Sequence, residues 1–289
     1  MHNFSIKKSL SVAKTEYLKW LLNPRMIIVL IMLIFIKTCA IDPLISRSIE
    51  MKSKLNILEP FIAIGNSGVI LLIVPLAFLT LISDFPRTDG NTLFFITRTG
   101  KNNWLIGQIV FFFMSILSFF TTIMIGSVVP IITKSFSSNS WSDVVTKYDT
   151  MFPQKAGGFA SELVPGNLYN QMSPVSAALQ TYLLLILYMF VLALIMLLFN
   201  LLKMKTLGIF TAGVVIAFGV AGCSLKASIM WLFPMANSII WLHYTEYYRE
   251  PIKPVFYSYI YFAVIIALLI FITLLALKRF TLETVQEVD

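Results

Sequence analysis

Runs of about 20 consecutive apolar residues recur along this chain, and that length is what one helix needs to cross the hydrocarbon core of a bilayer. Five segments qualify directly: 61–83, 104–131, 175–202, 206–223 and 255–277. A sixth, 26–42, is shorter and carries Lys37 near its far end, where the aliphatic stem would let the ammonium reach the interface. Of the 289 residues, 58% are hydrophobic and 12% charged, against about 25% charged in an average soluble domain. Mean hydropathy is +0.84. In lipid every backbone polar group must be satisfied within the protein, which leaves helices for segments of this kind. The expectation is an all-α integral membrane protein, a single transmembrane domain over 1–289 with six transmembrane helices.

Six spans put both termini on one side. The segments 1–25, 84–104, 203–205 and 278–289 carry 5, 3, 2 and 2 lysines and arginines, while 43–60, 132–174 and 224–254 carry 3 each. The first group spreads over about 60 residues and the second over about 90, so the positive-inside rule predicts cytosolic termini and a cytosolic 84–104 loop. The expected location is a bacterial plasma membrane. No signal-peptide pattern opens the chain, since the first apolar run begins at Met26 with no small-residue cleavage site behind it. The net charge of +8 follows from cations flanking the spans and requires no nucleic acid. Cys39 and Cys223 read as two separate thiols, and no Cys/His cluster suggests a metal.

Residues 4–22 read as an amphipathic helix on the cytosolic membrane surface. Ile6, Leu10, Ala13, Tyr17 and Leu21 share one face, Lys7 and Lys14 flank it toward lipid phosphates, and Lys8 and Lys19 point away. Asn23-Pro24-Arg25 should break this helix before the first span. The 132–174 stretch, with its serines, Gly157-Gly158 and Pro165-Gly166, reads as a long turn-rich outer loop that is only partly ordered. Residues 224–254 hold an apolar stretch interrupted by Pro234 and Asn237. A seventh span there would strand Lys278 and Arg279 outside, so a broken helix at the outer leaflet is expected, with Trp231, Trp241, Tyr244, Tyr247 and Tyr248 as an interfacial aromatic belt.

The loop 84–104 is too polar for lipid and too patterned for a plain connector. Asp89-Gly90 reads as a turn and Asn91 as an N-cap for a short helix starting at Thr92. Leu93, Phe94, Phe95 and Ile96 then form a compact apolar knob ringed by Arg98 and Lys101, and Gly100 ends the turn before Trp104 resumes apolar helix. Buried aromatics of this kind anchor interfaces, and an aromatic pair dipping into the lipid interface is the plainer reading.

With its N-terminal amphipathic helix, six spans, broken helix before the last span and Thr97-Arg98-Thr99-Gly100-Lys101 after the second span, the chain resembles the membrane subunits of ABC-2-type transporters. The architectural resemblance covers the whole chain; the residue-level one is confined to Asp84–Trp104. It implies that 91–101 is a coupling helix docking into a separate ATPase, present in two copies, with 4–22 as the connecting helix beside it. ATP and magnesium would be bound by that partner. A second copy of the permease, or a homologue, would complete the pathway among membrane lipids. The family's dimer geometry implies an interface along the second and fifth spans, where Gly65, Ser67, Gly68, Gly208, Gly213, Gly219 and Gly222 would permit close approach or serve packing within the chain.

The chain has no GxxxxGK[ST] phosphate loop, so no ATP hydrolysis is expected from it alone. The long 132–174 loop departs from the family's polysaccharide exporters. Uncharged spans suggest an apolar or amphipathic cargo, and export of a hydrophobic peptide or antibiotic, or immunity against one, is the expectation. An ion-coupled transporter is the alternative, although it would need ionisable residues at mid-membrane. A further alternative is an intramembrane serine protease, because Gly65-Asn66-Ser67-Gly68 has the GxSG form of the rhomboid family, with His243 as the only candidate base.

Overall fold

Proline cannot continue a helical hydrogen-bond ladder behind it, and Asn23-Pro24 accordingly divides the first helix from the second. The computed structural model describes residues 4–86, 96–225, 228–245 and 251–279. Helix α1 spans Ile6–Leu21, and a 3-10 turn Pro24–Met26, capped by the Asn23 side chain accepting from the Arg25 amide, leads into α2, Ile27–Ile36. A π-turn at Lys37–Ile41 continues directly into α3, Asp42–Met51. The first span expected at 26–42 is therefore part of one helical run, Pro24–Met51, and Lys37 lies inside it, ion-paired with Asp42 at 2.8 Å.

Strand β1 is Leu55–Asn56; α4, Glu59–Asn66, and α5, Gly68–Ile82, follow. These two helices meet at 84° around Ser67, which corrects the straight span expected at 61–83. After a helical turn at 96–99 come α6, Lys101–Val128, a 3-10 extension Val129–Lys134, and β2, Ser135–Phe136, parallel to β1. Then come α7, Asp143–Met151, the single turns α8, Phe159–Glu162, and α9, Gly166–Tyr169, and the long helices α10, Pro174–Leu201, and α11, Lys205–Leu225. The stretch before the last helix is broken, as expected, into Ser228–Leu232, α12, Pro234–Ser238, and Ile240–His243, and α13, Val255–Arg279, closes the order.

The protein is thus all-α with five helical runs of membrane-crossing length and apolarity among the described residues, or six if the bent α4–α5 pair counts as one. Helix α10 is the core: it packs against α4, α6, α11 and α13, and Leu184, Leu185, Tyr188, Met189 and Leu192 are fully buried. Helices α11 and α13 form outer walls, with fewer than a third of the residues in their most apolar stretches buried.

Helix α1 packs along α6. The Ser5 amide donates to Asn103 Oδ1 at 2.8 Å, and Tyr17 and Ser118 share a 2.6 Å hydrogen bond, so the two helices run side by side in the same direction. The packed face is Ser9, Val12, Ala13, Glu16 and Trp20, while Ile6, Leu10 and Leu21 are exposed. Of the five residues expected on the apolar, lipid-facing stripe, Ile6, Leu10 and Leu21 are exposed, Tyr17 is half-buried and Ala13 is buried. Small side chains decide this: a Cβ at Gly107 would stand 2.6 Å from Val12 Cβ and 2.8 Å from the Ser9 carbonyl. Close backbone approach selects the face that permits it, in preference to the more apolar one.

The 132–174 stretch is a folded module, which corrects the partly ordered loop. Its partners lie in α3 and β1, far away in sequence. Asn56 Nδ2 donates to the carbonyls of Ser138 and Ser140 at 2.7 and 2.9 Å. Arg47 stacks over Tyr148 at 4.2 Å and donates to Ser161 at 2.6 Å, and Lys155 pairs with Glu50 at 2.6 Å. The Trp141 indole donates to the Met172 carbonyl at 2.7 Å.

Gly107→Val should overpack the α1–α6 crossing and cost about 1–3 kcal/mol. Thermal unfolding of the purified chain in detergent reads this, and an unchanged melting temperature would refute the close crossing.

Candidate functional site

Four chain ends converge on Asp84, just beyond α5. Its carboxylate pairs with Arg25 at 2.7 Å and with Lys205 at 3.1 Å. Arg25 also donates to Ser83 Oγ at 2.8 Å, and Asn200 Nδ2 donates to the Phe85 carbonyl at 2.7 Å. The starts of α2 and α11 and the ends of α5 and α10 are thereby tied at one level. Partial burial would raise the Asp84 carboxyl, but Lys205 and Arg25 outweigh it and hold it below the usual carboxylate range.

The Phe85 ring packs on Phe111 at 4.9 Å, which places this polar belt well inside α6. Lys101 begins α6 ten residues earlier, so the helix projects about 15 Å beyond the belt at 1.5 Å per residue. The N-terminal half of α1 accompanies it. Asn103 clamps the base of the projection: its carbonyl takes the Ser5 amide and its Nδ2 donates to the Thr99 carbonyl at 2.8 Å. Gly100, at φ +87°, accepts the left-handed conformation that separates the 96–99 turn from α6.

Of the residues assigned to coupling, Asn91, Leu93, Phe94 and Phe95 lie outside the described residues. Ile96 is 3% exposed, so it belongs to the interior and not to an exposed knob. Arg98 is exposed and Lys101 half-buried.

A second polar constellation joins the two helix breaks. Asn66 ends α4, and its Nδ2 donates to the Ile62 carbonyl at 2.8 Å and to Thr181 Oγ1 at 3.3 Å. Its Oδ1 accepts from the Ile240 amide at 3.1 Å and its backbone carbonyl from the Trp241 indole at 2.9 Å. Asn237 performs the same service for the second break, donating to the carbonyls of Trp231 and Phe233 at 2.9 and 3.1 Å and accepting from Ser258 at 2.9 Å. His243 completes this network through Ser258 at 3.3 Å and the Lys253 carbonyl at 2.7 Å. Burial lowers the His243 pKa from its ordinary value and favours the neutral ring. Both ring nitrogens are thus engaged away from Ser67, the serine of the GxSG motif.

The small residues divide. A Cβ at Gly65 would meet Thr181 and Leu185, at Gly208 Phe199, at Gly219 Met235 and at Gly222 Met230, so these four pack within the chain. Gly68 and Gly213 face open space, and Ser67 is 6% exposed at the break. Cys39 and Cys223 are free thiols. Among the described residues no group of three His, Cys, Asp or Glu is placed to hold a metal.

No family model, curated protein or solved structure is similar to it. The geometry therefore carries the functional argument. Sequence reading missed Asn66, Asn237 and Ser258; an asparagine beside a Ser-Gly or Pro interruption in an apolar run was the available signal.

Asn66→Leu removes the acceptor and donors that three buried groups use, and should cost about 3 kcal/mol, since each stranded buried group costs about 1–3 kcal/mol. Chemical unfolding in mixed micelles measures it, and a loss below the error of the method would contradict the bracing role. Asp84→Asn should cost about 1 kcal/mol at neutral pH, the upper range for partly exposed ion pairs. Because the folded-state pKa of Asp84 is lowered, its contribution is present above the free carboxyl value and lost as pH falls through the folded one. The stability gap between wild type and Asp84→Asn should close below about pH 4.

Proposed function

We propose that this chain is the membrane permease subunit of an ABC-type exporter, driven by a separate ATPase that docks on the end carrying α1 and the start of α6. One observation carries the reading. The 96–100 turn is joined through Gly100 and the Asn103 clamp to a helix that projects past the Arg25–Asp84–Lys205 belt and continues through the protein as one 28-residue α-helix. A push on that end is delivered to α6 and, through α1, to the first long helix. The sequence has no phosphate loop of its own, so the energy comes from the partner, which binds ATP and magnesium.

On this reading the termini and 84–104 face the cytosol, six spans cross the membrane, and a second permease copy or a homologue completes the pathway. The outer walls of α11 and α13, charged only at their ends, suit an apolar or amphipathic cargo, a hydrophobic peptide or antibiotic that is exported or against which the system gives immunity. An ion-coupled transporter is the second reading. It is favoured by the Lys37–Asp42 pair inside the first helical run and by the discontinuous α4–α5 pair.

Co-purification with candidate ATPases tests the assignment. Phe94→Ala, Phe95→Ala and Arg98→Glu should each weaken the complex and its stimulated ATP hydrolysis by about tenfold, as loss of an interface anchor does. If all three leave both intact, the coupling assignment is wrong.

A further inference from the structure

The corner between α4 and α5 is supplied with partners on one side only. At the end of α4 the carbonyls of Ile62, Ala63 and Asn66 each have a donor, in Asn66 Nδ2, the Ser67 amide and the Trp241 indole. At the start of α5 the position is reversed. The Leu71 amide donates to the Ser67 carbonyl at 2.9 Å and closes the first turn, so the amides of Gly68, Val69 and Ile70 precede the helical ladder and find no acceptor in it. Ser67 stands at the N-cap, and its side chain makes no capping bond. It is only 6% exposed, and its hydroxyl has no partner among the described residues. Three backbone donors and one hydroxyl therefore meet at one corner inside an apolar run, where unpaired donors are costly. The group that answers them is an acceptor, and the positive end of the α5 dipole favours an anionic one.

We propose that the start of α5 is a binding site for the carboxylate of an apolar amphiphile, held by Ser67 Oγ and the amides of Gly68, Val69 and Ile70.

The corner has room for such a ligand. A Cβ at Gly68 would meet nothing within 4 Å, and Val69 is exposed. From Val69 an apolar strip runs down α5 through half-buried Leu72 and Ile73 to exposed Leu76. It covers about 10 Å of helix, along which a hydrocarbon body can lie. Depth selects the head. Helix α5 runs from Gly68 to Ile82, next to the Arg25–Asp84–Lys205 belt, so the corner stands about 21 Å along the helix axis from that belt. With the belt at the membrane boundary, this lies within a hydrocarbon core about 30 Å thick. A lipid phosphodiester rides in the headgroup layer outside that core, whereas a carboxylate ending a single chain is small enough to reach the corner.

The test uses the full chain in phosphatidylcholine nanodiscs without nucleotide or partner protein, so its outcome is independent of the exporter reading. Binding of radiolabelled dodecanoate is measured at about pH 8, where a free carboxyl is ionised, with empty discs subtracted. Saturable binding is expected, competed by unlabelled dodecanoate and not by methyl dodecanoate. Gly68→Pro removes one amide at the helix position that tolerates proline, and should weaken binding about tenfold, as loss of a hydrogen bond to a charged group does. Ser67→Asp presents its own carboxylate to the same amides and should abolish binding. Absence of saturable binding, competition by the methyl ester, or unchanged binding in either variant overturns the proposal. Loss of dodecanoate binding in discs containing phosphatidylglycerol overturns it too, and assigns the corner to a lipid phosphodiester. Should Ser67→Asp fail to fold, Gly68→Pro and the methyl ester decide the question.

Discussion

An amide or carbonyl left without a partner in hydrocarbon costs several kcal/mol, and this protein breaks its helices twice inside apolar sequence. The breaks are tolerable because they are matched to each other. Asn66, at the α4–α5 corner, supplies partners to Ile240 and Trp241 in the broken stretch ahead of α13, and Thr181 of the central helix α10 completes the junction. Asn237 and Ser258 repeat the arrangement on the other side of that stretch. The two breaks are joined by the Asn66 bonds to Ile240 and Trp241 beside α10.

The opposite end is organised by charge and close packing. Asp84 gathers Arg25 and Lys205, and the Ser9–Gly107 approach presses α1 against α6. These contacts differ in kind. The ion pairs are partly solvated and individually weak, whereas the helix crossing is steric and admits little sliding. The crossing fixes how α1 lies on α6, while the ion pairs set where the four helix ends meet.

The apolar runs at 175–202, 206–223 and 255–277 were legible because hydropathy and length alone determine them, and the helices begin and end within two residues of those bounds. The corner at Ser67 was not legible. Hydropathy carries no direction, and 61–83 reads the same straight or bent. The face of α1 that packs on α6 was not legible either: the exposed stripe is the more hydrophobic, and only the glycine on α6 reveals which face allows contact. The 132–174 module was hidden because its partners, Arg47, Glu50 and Asn56, lie about 80–115 positions away, and no local pattern announces them. At the candidate coupling end Gly100 stands where the sequence placed the end of the turn, and Ile96, read as part of an apolar knob, is buried.

The corner at Ser67 leaves α5 only 15 residues long, about 22 Å at 1.5 Å per residue. Helix α11, at 21 residues, reaches about 31 Å, close to an ordinary hydrocarbon thickness of about 30 Å. In a bilayer the hydrophobic girdle of this protein is therefore lopsided. Lipid beside α5 must thin while lipid beside α11 stays relaxed, at a cost of fractions of a kcal/mol per ångström of mismatch. Short or disordered acyl chains gather where that cost is greatest, and a second protein with an equally thin flank gains by sharing the dimple.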